Sequence, residues 1–182
     1  MPFQNSSSLP TQNTATGSAA IGLCNPKSPS NVGAVMRAAG CYGATAIYYT
    51  GKRFSQAAKY HQDTNNVNQT IPLSAVESFT TLVEQHQSLV CVELVEGAIP
   101  LPEFIHPEEA LYIFGPEDGS IAPSLVNKAD AVVYIPTTGC MNLAATVNVL
   151  LYDRMAKQNQ PIDHDALIRA SRDVNNRLSV KD

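Results

Sequence analysis

The chain has 182 residues, of which 44% are apolar and 15% are charged, and its formal net charge at pH 7 is -4. This length and apolar content predict one domain with a sizeable core and leave no room for a second full domain. The net negative charge excludes a nonspecific nucleic-acid coat, so a nucleic acid would have to meet a local basic patch.

The predicted elements begin after a polar tail. Residues Met1–Ser18 are rich in Ser, Thr, Asn and Gln, which predicts a disordered tail ahead of a domain over 19–182. From Ala19 on, apolar runs alternate with helical patterns, and this predicts an α/β fold with a mostly parallel sheet and helices on both faces. In chain order we predict strand 19–24, helix 31–42, strand 45–50, a polar segment 51–69 with one helical turn near 56–60, strand 70–73, helix 74–86, strand 88–94, strand 110–114, a short helix after Pro123, strand 131–135, helix 141–157 and helix 163–177. The helix at 74–86 is predicted from the capping-box spacing of Ser74 and Glu77.

The loop after the first strand runs into a helix that carries Arg37, which is predicted to lie on the buried side of the helix. Ser30 or Asn31 is predicted to cap this helix, whose free N–H groups favour a phosphate or carboxylate. Arg37 lies about two turns further on, and its charge needs an anionic partner if that face is covered. The alternative is that Ser30 and Asn31 only cap the helix and that Arg37 is solvated.

Two more loops follow the ends of predicted strands. Residues 115–119 place Glu117 and Asp118 between glycines, where a planar ligand can approach the backbone closely. The uncharged loop 136–139 suits an adenine and a ribose better than a triphosphate. The carboxyl ends of strands line the ligand crevice in open α/β sheets, so the three loops predict one site. No dinucleotide or P-loop motif is present.

The remaining polar residues give weaker signals. The four cysteines form no CxxC pair and the four histidines are scattered, which predicts reduced, mostly core cysteines and no metal site in a cytoplasmic protein without a membrane segment. Two groups of basic residues are candidate patches: Lys52, Arg53 and Lys59, and then Arg154, Lys157, Arg169, Arg172, Arg177 and Lys181.

Three motifs in order carry a resemblance to a known family. They are Asn31-x-Gly33-x-x-x-Arg37, then the run Phe114–Gly119, then Ile135–Pro136 followed by Met141–Ala144 and Leu151–Asp153. Together they resemble the motifs of the SpoU/TrmH-type RNA ribose 2′-O-methyltransferases, which belong to the SPOUT superfamily. The resemblance covers roughly residues 19–157.

The resemblance implies a fold, a cofactor and site residues. The fold would carry a C-terminal trefoil knot, and the protein would be a homodimer that binds S-adenosylmethionine and needs no metal. By position in the motifs, the catalytic residues would be Asn31, Arg37, Glu117 and Asn142, and the cofactor-binding residues Gly115, Ile135 and Met141. Cys140 stands where the family usually has serine, and its loop is short.

The implied function is methyl transfer to a ribose 2′-hydroxyl of tRNA, with rRNA as the second choice. Arg37 stays protonated, so it would clamp the phosphate beside the target ribose rather than act as a base. Glu117 would hold Arg37 or the substrate, and Asn31 and Asn142 would orient the ribose and the arginine. The alternatives are a knotted RNA-binding protein without catalysis, a base methyltransferase of the same superfamily, and a flavodoxin-like nucleotide or flavin binder, which explains none of the motif spacing.

Overall fold

A seven-stranded parallel sheet forms the centre of the protein. The computed structural model describes residues 17–58, 71–85, 88–158, 162–172 and 175–180. The strands are β1 Ala19–Leu23, β2 Ala46–Tyr49, β3 Leu73–Ala75, β4 Ser88–Val92, β5 Ile99–Pro100, β6 Ala110–Phe114 and β7 Ala131–Tyr134. Their order is β3-β2-β1-β6-β4-β7-β5, and every pairing between them is parallel. The predicted parallel α/β sheet is confirmed.

Helices cover both faces of this sheet. They are α1 Pro29–Cys41, α2 Arg53–Ala58, α3 Pro123–Val126, α4 Leu143–Lys157 and α5 His164–Ser171, together with 3₁₀ helices at Phe79–Gln85 and Leu101–Glu103. On one face α1 and α4 pack together over the alternate strand residues that include Ile21, Tyr112 and Val133. On the other face the first 3₁₀ helix covers a second cluster. The trefoil knot implied by the resemblance stays a prediction.

The segment around Ser74 differs from the prediction. Ser74 lies in β3 and pairs with Tyr48 of β2, so it does not cap a helix. The helical segment begins instead at Phe79, is a 3₁₀ helix, and has Ser78 before it, whose hydroxyl accepts from the backbone N–H of Thr80 (3.2 Å). The predicted helix 74–86 is therefore wrong over its first turn. The backbone of Ser74 is part of the pairing between β3 and β2, so it cannot adopt the helical turn that a capping box requires.

Caps account for the shifted helix starts. The Ser28 hydroxyl, rather than Ser30 or Asn31, caps α1 by accepting from the Asn31 N–H (3.3 Å), and Pro29 takes the first helical position, which needs no N–H donor. Asn142 caps α4 and Asp163 caps α5, so these helices begin after those residues. Helix α5 ends at Ser171, and described residues 175–180 are not helical, which shortens the predicted helix 163–177.

Three predictions concern residues that are only partly described. Of the tail Met1–Ser18, residues 1–16 lie outside the described part, while the Ser18 carbonyl accepts from the Ala110 N–H (3.0 Å). Of the polar segment 51–69, residues 59–69 also lie outside it, and α2 begins at Arg53, ahead of the predicted turn near 56–60. Strand 70–73 was predicted too early, since β3 begins at Leu73.

A buried polar cluster lies at the far end of α4. Arg154 is only 4% exposed, so it does not belong to a surface basic patch as predicted. Its guanidinium donates to the carbonyls of Gly17 and Glu108 and to the hydroxyl of Tyr112 (2.9 Å). His106 joins this hydroxyl to Asp153, at 2.8 and 2.9 Å. Both terminal nitrogens of this buried guanidinium therefore have acceptors, which offsets the cost of burying the charge.

None of the helices in the described ranges combines the length and apolar character needed to cross a bilayer. The four cysteines are free thiols. Burial raises the pKa of Cys24 and of Cys91 to about 12. Cys41 and Cys140 are exposed, so the prediction of mostly core cysteines fails for these two.

Candidate active site

Three loops meet at the carboxyl edge of the sheet, as predicted. They follow β1, β6 and β7, and β6 lies between β1 and β4, with β7 beyond β4. Because all strands are parallel, their carboxyl ends share one edge, and the loops that leave them are neighbours. The polar residues of the three sequence motifs are carried by these loops and by the first turns of α1 and α4.

Glu117 joins the loop after β6 to the start of α1. Its carboxylate accepts from the backbone N–H groups of Lys27 (2.8 Å) and Ser28 (3.1 Å) and from the side-chain amide of Asn31 (3.0 Å). Burial acts to raise the pKa of Glu117, but the hydrogen bonds from Asn31, Lys27 and Ser28 outweigh it and lower that pKa below its ordinary value. Glu117 is therefore an anion at neutral pH, with a fixed orientation.

Asn31 and Asn142 continue this network into α4. The amide of Asn142 donates to the Asn31 side-chain oxygen (3.1 Å), while its own side-chain oxygen accepts from the Ala144 N–H (2.9 Å) as the cap of α4. Three of the four residues implied to be catalytic, Asn31, Glu117 and Asn142, are thus brought together from three loops. Because both asparagines sit at helix starts, each is fixed by backbone as well as by its neighbour.

Arg53 supplies the cation beside Glu117. Its guanidinium donates to the Asn25 carbonyl through Nε (3.0 Å) and Nη2 (2.7 Å) and to Asp118 through Nη1 (2.8 Å), and Nη2 lies 3.9 Å from Glu117. The Arg53 bond lowers the pKa of Asp118. The sequence placed Arg53 only in a basic patch. Its position just after β2, a strand that also ends at the site's edge, was the signal that could have assigned it to the site.

Arg37 is not part of this cluster. It is exposed on α1, and no described residue gives it a hydrogen bond or an ion pair. It follows Asn31 by six residues, which places it about 9 Å along the helix and on another side of it. The predicted pairing of Glu117 with Arg37 is not found, because Glu117 is already held by Asn31 and the loop backbone. None of the described residues covers the Arg37 side chain, which is exposed.

A cavity of about 190 Å³ opens beside the network, between the loops after β4, β6 and β7. Gly115, Ile135 and Met141, the residues implied to bind the cofactor, all line it. A Cβ at Gly115 would lie 3.1 Å from Glu93 Oε2, tighter than ordinary contact. Glu93 is itself fixed, since it accepts from the backbone N–H of Ile121 (2.8 Å). Because Gly115 has no side chain, the space between its backbone and Glu93 stays free.

The charge of the cavity wall is uneven. Among the described residues that line it are Glu93 and Glu117, but no lysine, arginine or histidine. Such a wall attracts a cation and repels a polyphosphate. Uncharged groups, including Thr137, Cys140 and Thr146, complete it. Across the described part of the chain, no cluster of three or more His, Cys, Asp or Glu side chains could hold a metal ion.

Comparison with known proteins gives one family. The model described as the SpoU rRNA Methylase family matches residues 18–152. No curated protein matches the sequence significantly.

Solved structures share the fold at low identity. An rRNA methyltransferase from Sinorhizobium meliloti superposes with a TM-score of 0.65 at 17% identity, over 81% of this chain and 60% of that one. The SpoU methyltransferase AviRb from Streptomyces viridochromogenes, in complex with the cofactor AdoMet, gives 0.66 at 19% identity, over 86% and 62%. The TrmH/SpoU tRNA modifying enzyme of A. aeolicus gives 0.62 at 16%, over 77% and 75%. The chain spans less than two thirds of the length of the first two.

Proposed function

The chain belongs to the SpoU rRNA Methylase family, and on that basis we propose that it is an S-adenosylmethionine-dependent RNA methyltransferase acting on a ribose 2′-hydroxyl. The observation that carries this proposal is the Asn31–Glu117–Asn142 network, which stands at the mouth of a cavity with a negative wall. We place tRNA ahead of rRNA as the substrate. The A. aeolicus tRNA modifying enzyme supports this order, because the chain covers more of that relative than of the other two.

The cavity fits S-adenosylmethionine by its chemistry. When bound, this cofactor supplies a methyl group on a positively charged sulfur. Glu93 and Glu117 would favour that charge, and the open wall at Gly115 would admit the ligand close to the backbone. Ile135 and Met141 would cover its apolar parts, and the neutral loop after β7 suits an adenosine.

The network would orient the ribose. Glu117 holds the Asn31 amide from one side and Asn142 holds its oxygen from the other, so that Asn31 keeps one acceptor position for a ribose hydroxyl. Positioning of this kind can supply about 7–11 kcal/mol of the barrier. Arg37, which stays protonated and has no partner among the described residues, is free to clamp a substrate phosphate. The phosphate would accept the proton of the hydroxyl.

The function is tested with RNA from a strain that lacks the protein. Purified protein and labelled S-adenosylmethionine should transfer the label to bulk RNA, and mass spectrometry of the nucleosides should show 2′-O-methylation. Methylated bases would instead support the base-methyltransferase alternative. RNA binding without any transfer would support the non-catalytic alternative. Analysis of separated tRNA and rRNA decides between the two substrates.

We also propose a homodimer. Helix α4 exposes the apolar side chains of Val149, Tyr152 and Met155, which are 36%, 57% and 41% exposed. They lie on the outer side of α4, the helix that packs against α1. A second chain seated there would bury these residues.

A further inference from the structure

A second cavity opens at the same edge of the sheet. Its volume is about 430 Å³, larger than that of the first. It lies on the side of the sheet covered by the first 3₁₀ helix and α3, whereas the first cavity lies on the side of α4. Pro116, in the loop after β6, lines both cavities. The loop is therefore a wall between two neighbouring spaces.

The lining of the second cavity combines apolar and polar side chains. Its large apolar residues are Leu125 and Phe79, of which Phe79 is 2% exposed, and its polar residues include Ser120, Ser124 and Lys128. No described residue gives these last three side chains a hydrogen bond or an ion pair. Hydroxyls and one amine beside apolar side chains match a nucleobase, which has a flat apolar face and donors and acceptors around its edge. The charged side chains of the lining are Glu77 and Lys128, one of each sign, and this balance does not suit a polyphosphate.

The position of the cavity relates it to the site. Asn25, two residues before Lys27, and Pro116, directly before Glu117, both line it. The Glu117 carboxylate accepts a hydrogen bond from the Lys27 N–H, so the cavity adjoins the network of the candidate site. The Asn25 carbonyl also holds Arg53. An RNA strand with its target ribose at Asn31 must place the adjoining nucleotide one sugar–phosphate unit away. The second cavity, across Pro116 from the first, is the space that we assign to this nucleotide.

We propose that the second cavity binds the base of the nucleotide adjoining the target, unstacked from its RNA strand. The phosphate that links this nucleotide to the target, on the other side of the ribose from the phosphate assigned to Arg37, lies on Lys27 and Arg53, which it reaches by displacing Asp118. The ion pairs of Asp118 are exposed, with Lys27 at 3.7 Å and Arg53 at 2.8 Å, so their exchange for a phosphate costs little. This proposal rests on the proposed function and adds to it a contact that selects the neighbour of the methylated nucleotide.

The test fills the cavity and leaves the cofactor site intact. Ser124→Trp places an indole in the lining of the second cavity. Ile105→Trp is the matched control, because Ile105 is 88% exposed and lies away from both cavities, next to Phe104, whose carbonyl accepts from Lys157 near the end of α4. A short fluorescein-labelled single-stranded RNA of mixed sequence is the probe, and calorimetry measures S-adenosylmethionine affinity for the same proteins. We expect Ser124→Trp to weaken RNA binding about tenfold, as for the loss of one bound base, and Ile105→Trp to bind like the wild type.

Both variants should keep the wild-type affinity for S-adenosylmethionine. Unchanged RNA binding by Ser124→Trp, or equal weakening by both variants, would overturn the proposal. If Ser124→Trp does not fold, a 4-thiouridine-containing RNA is photocrosslinked to the wild type. Crosslinks within 77–80 or 120–128 support the proposal and crosslinks only elsewhere overturn it. Wild-type methyl transfer to bulk RNA is measured in parallel, so that failure of the cavity assignment is distinguished from failure of the proposed function.

Discussion

At the scale of single residues, Glu117 does the most to define the site. Each of its three hydrogen-bond donors comes from the segment 27–31, so a carboxylate after β6 determines how the chain leaves β1. A charge-assisted bond of this kind is stronger than a neutral one. Glu117, which the resemblance implies to be catalytic, therefore also holds the site in shape, and its removal would affect both the shape of the site and any catalysis there.

Gly115→Val tests the assignment of the first cavity. A branched side chain at this position would press on Glu93, whose oxygen lies 3.1 Å from the added Cβ, and would narrow the space for a ligand. We expect the folded variant to lose S-adenosylmethionine binding in calorimetry. Arg37→Ala, which leaves the cavity wall unchanged, is the control and should bind normally. A folded Gly115→Val protein with wild-type affinity would show that the cofactor binds elsewhere.

Arg37→Lys tests the phosphate clamp. Lysine keeps the charge but not the planar fork that holds two oxygens, so we expect normal S-adenosylmethionine binding and a single-turnover methyl-transfer rate reduced about tenfold or more. Measurement uses labelled methyl groups and bulk RNA from a strain lacking the protein. A near-normal rate in Arg37→Lys would mean that charge alone suffices. A fully active Arg37→Ala protein would remove Arg37 from the mechanism.

At the scale of elements, the starts of α1 and α4 are parts of the site. Each helix is capped by a polar side chain, Ser28 or Asn142, and the caps stand beside the residues that would meet the substrate. The same hydrogen bonds that begin a helix therefore align Asn31 with Asn142. Most substitutions of a capping residue would therefore change both the stability of the protein and its activity. A substitution that keeps the cap and removes the other hydrogen bond would change the activity alone.

Two substitutions at Asn142 separate them. Asn142→Asp keeps an oxygen for the Ala144 N–H but loses the donor to Asn31, whereas Asn142→Ala loses both. We expect Asn142→Ala to cost about 1 kcal/mol and about 2–4 °C in Tm, and Asn142→Asp to keep the wild-type Tm. Both should lose methyl-transfer activity. Equal Tm values for all three proteins in thermal denaturation would contradict the capping role.

Local patterns predicted most elements but could not decide between local and distant partners. Strand β6 has its predicted bounds, because its continuous apolar run is typical of a strand buried on both faces of a sheet. Ser74 satisfied a capping box yet pairs with Tyr48, and Arg53 lay in a basic run yet binds Asn25, 28 residues away. The motif spacing brought Asn31, Glu117 and Asn142 together correctly. The prediction that Arg37 lies on the buried side of α1 is wrong: it is exposed, because the buried stripe of the helix is formed by Val32, Val35, Met36 and Ala39.

At the scale of the whole molecule, two clusters of hydrogen-bonded polar side chains lie at opposite ends of the sheet. The candidate site occupies the carboxyl edge, and the cluster of His106, Tyr112, Asp153 and Arg154 lies at the far end of α4. Burial raises the pKa of Tyr112 to about 12, so its hydroxyl stays neutral. The far cluster has no role in the proposed chemistry and contributes to stability, in a way that depends on pH.

Stability should fall when the pH drops below about 6.5. Burial lowers the pKa of His106, against the opposing effect of its bond to Asp153. Below the unfolded value of 6.5 the unfolded chain therefore binds more protons than the folded one, and this destabilises the fold. Chemical denaturation at pH 7.5 and 5.5 measures the difference. His106→Gln can bond to the same partners without titrating, and it should lose less stability over this interval than the wild type does.

Dimerisation is tested by light scattering at micromolar concentration. We expect about twice the chain mass of 19.5 kDa. Tyr152→Asp puts a charge on the proposed apolar face of α4 and should shift the protein to the single-chain mass, whereas Ile105→Asp, a charge on an exposed residue elsewhere, should not. A wild-type protein that scatters as one chain would contradict the homodimer.

The two borders of the sheet restrict how this protein can join other chains. At one border β5 has two residues, of which Pro100 has no N–H to donate, and at the other β3 has three. Neither border offers the row of free backbone groups that an extended peptide needs to add itself as an eighth strand. Recruitment by strand addition, and stacking of copies into fibrils through these borders, are therefore disfavoured. We therefore expect association through helix surfaces, away from the loops at the carboxyl edge that form the candidate site.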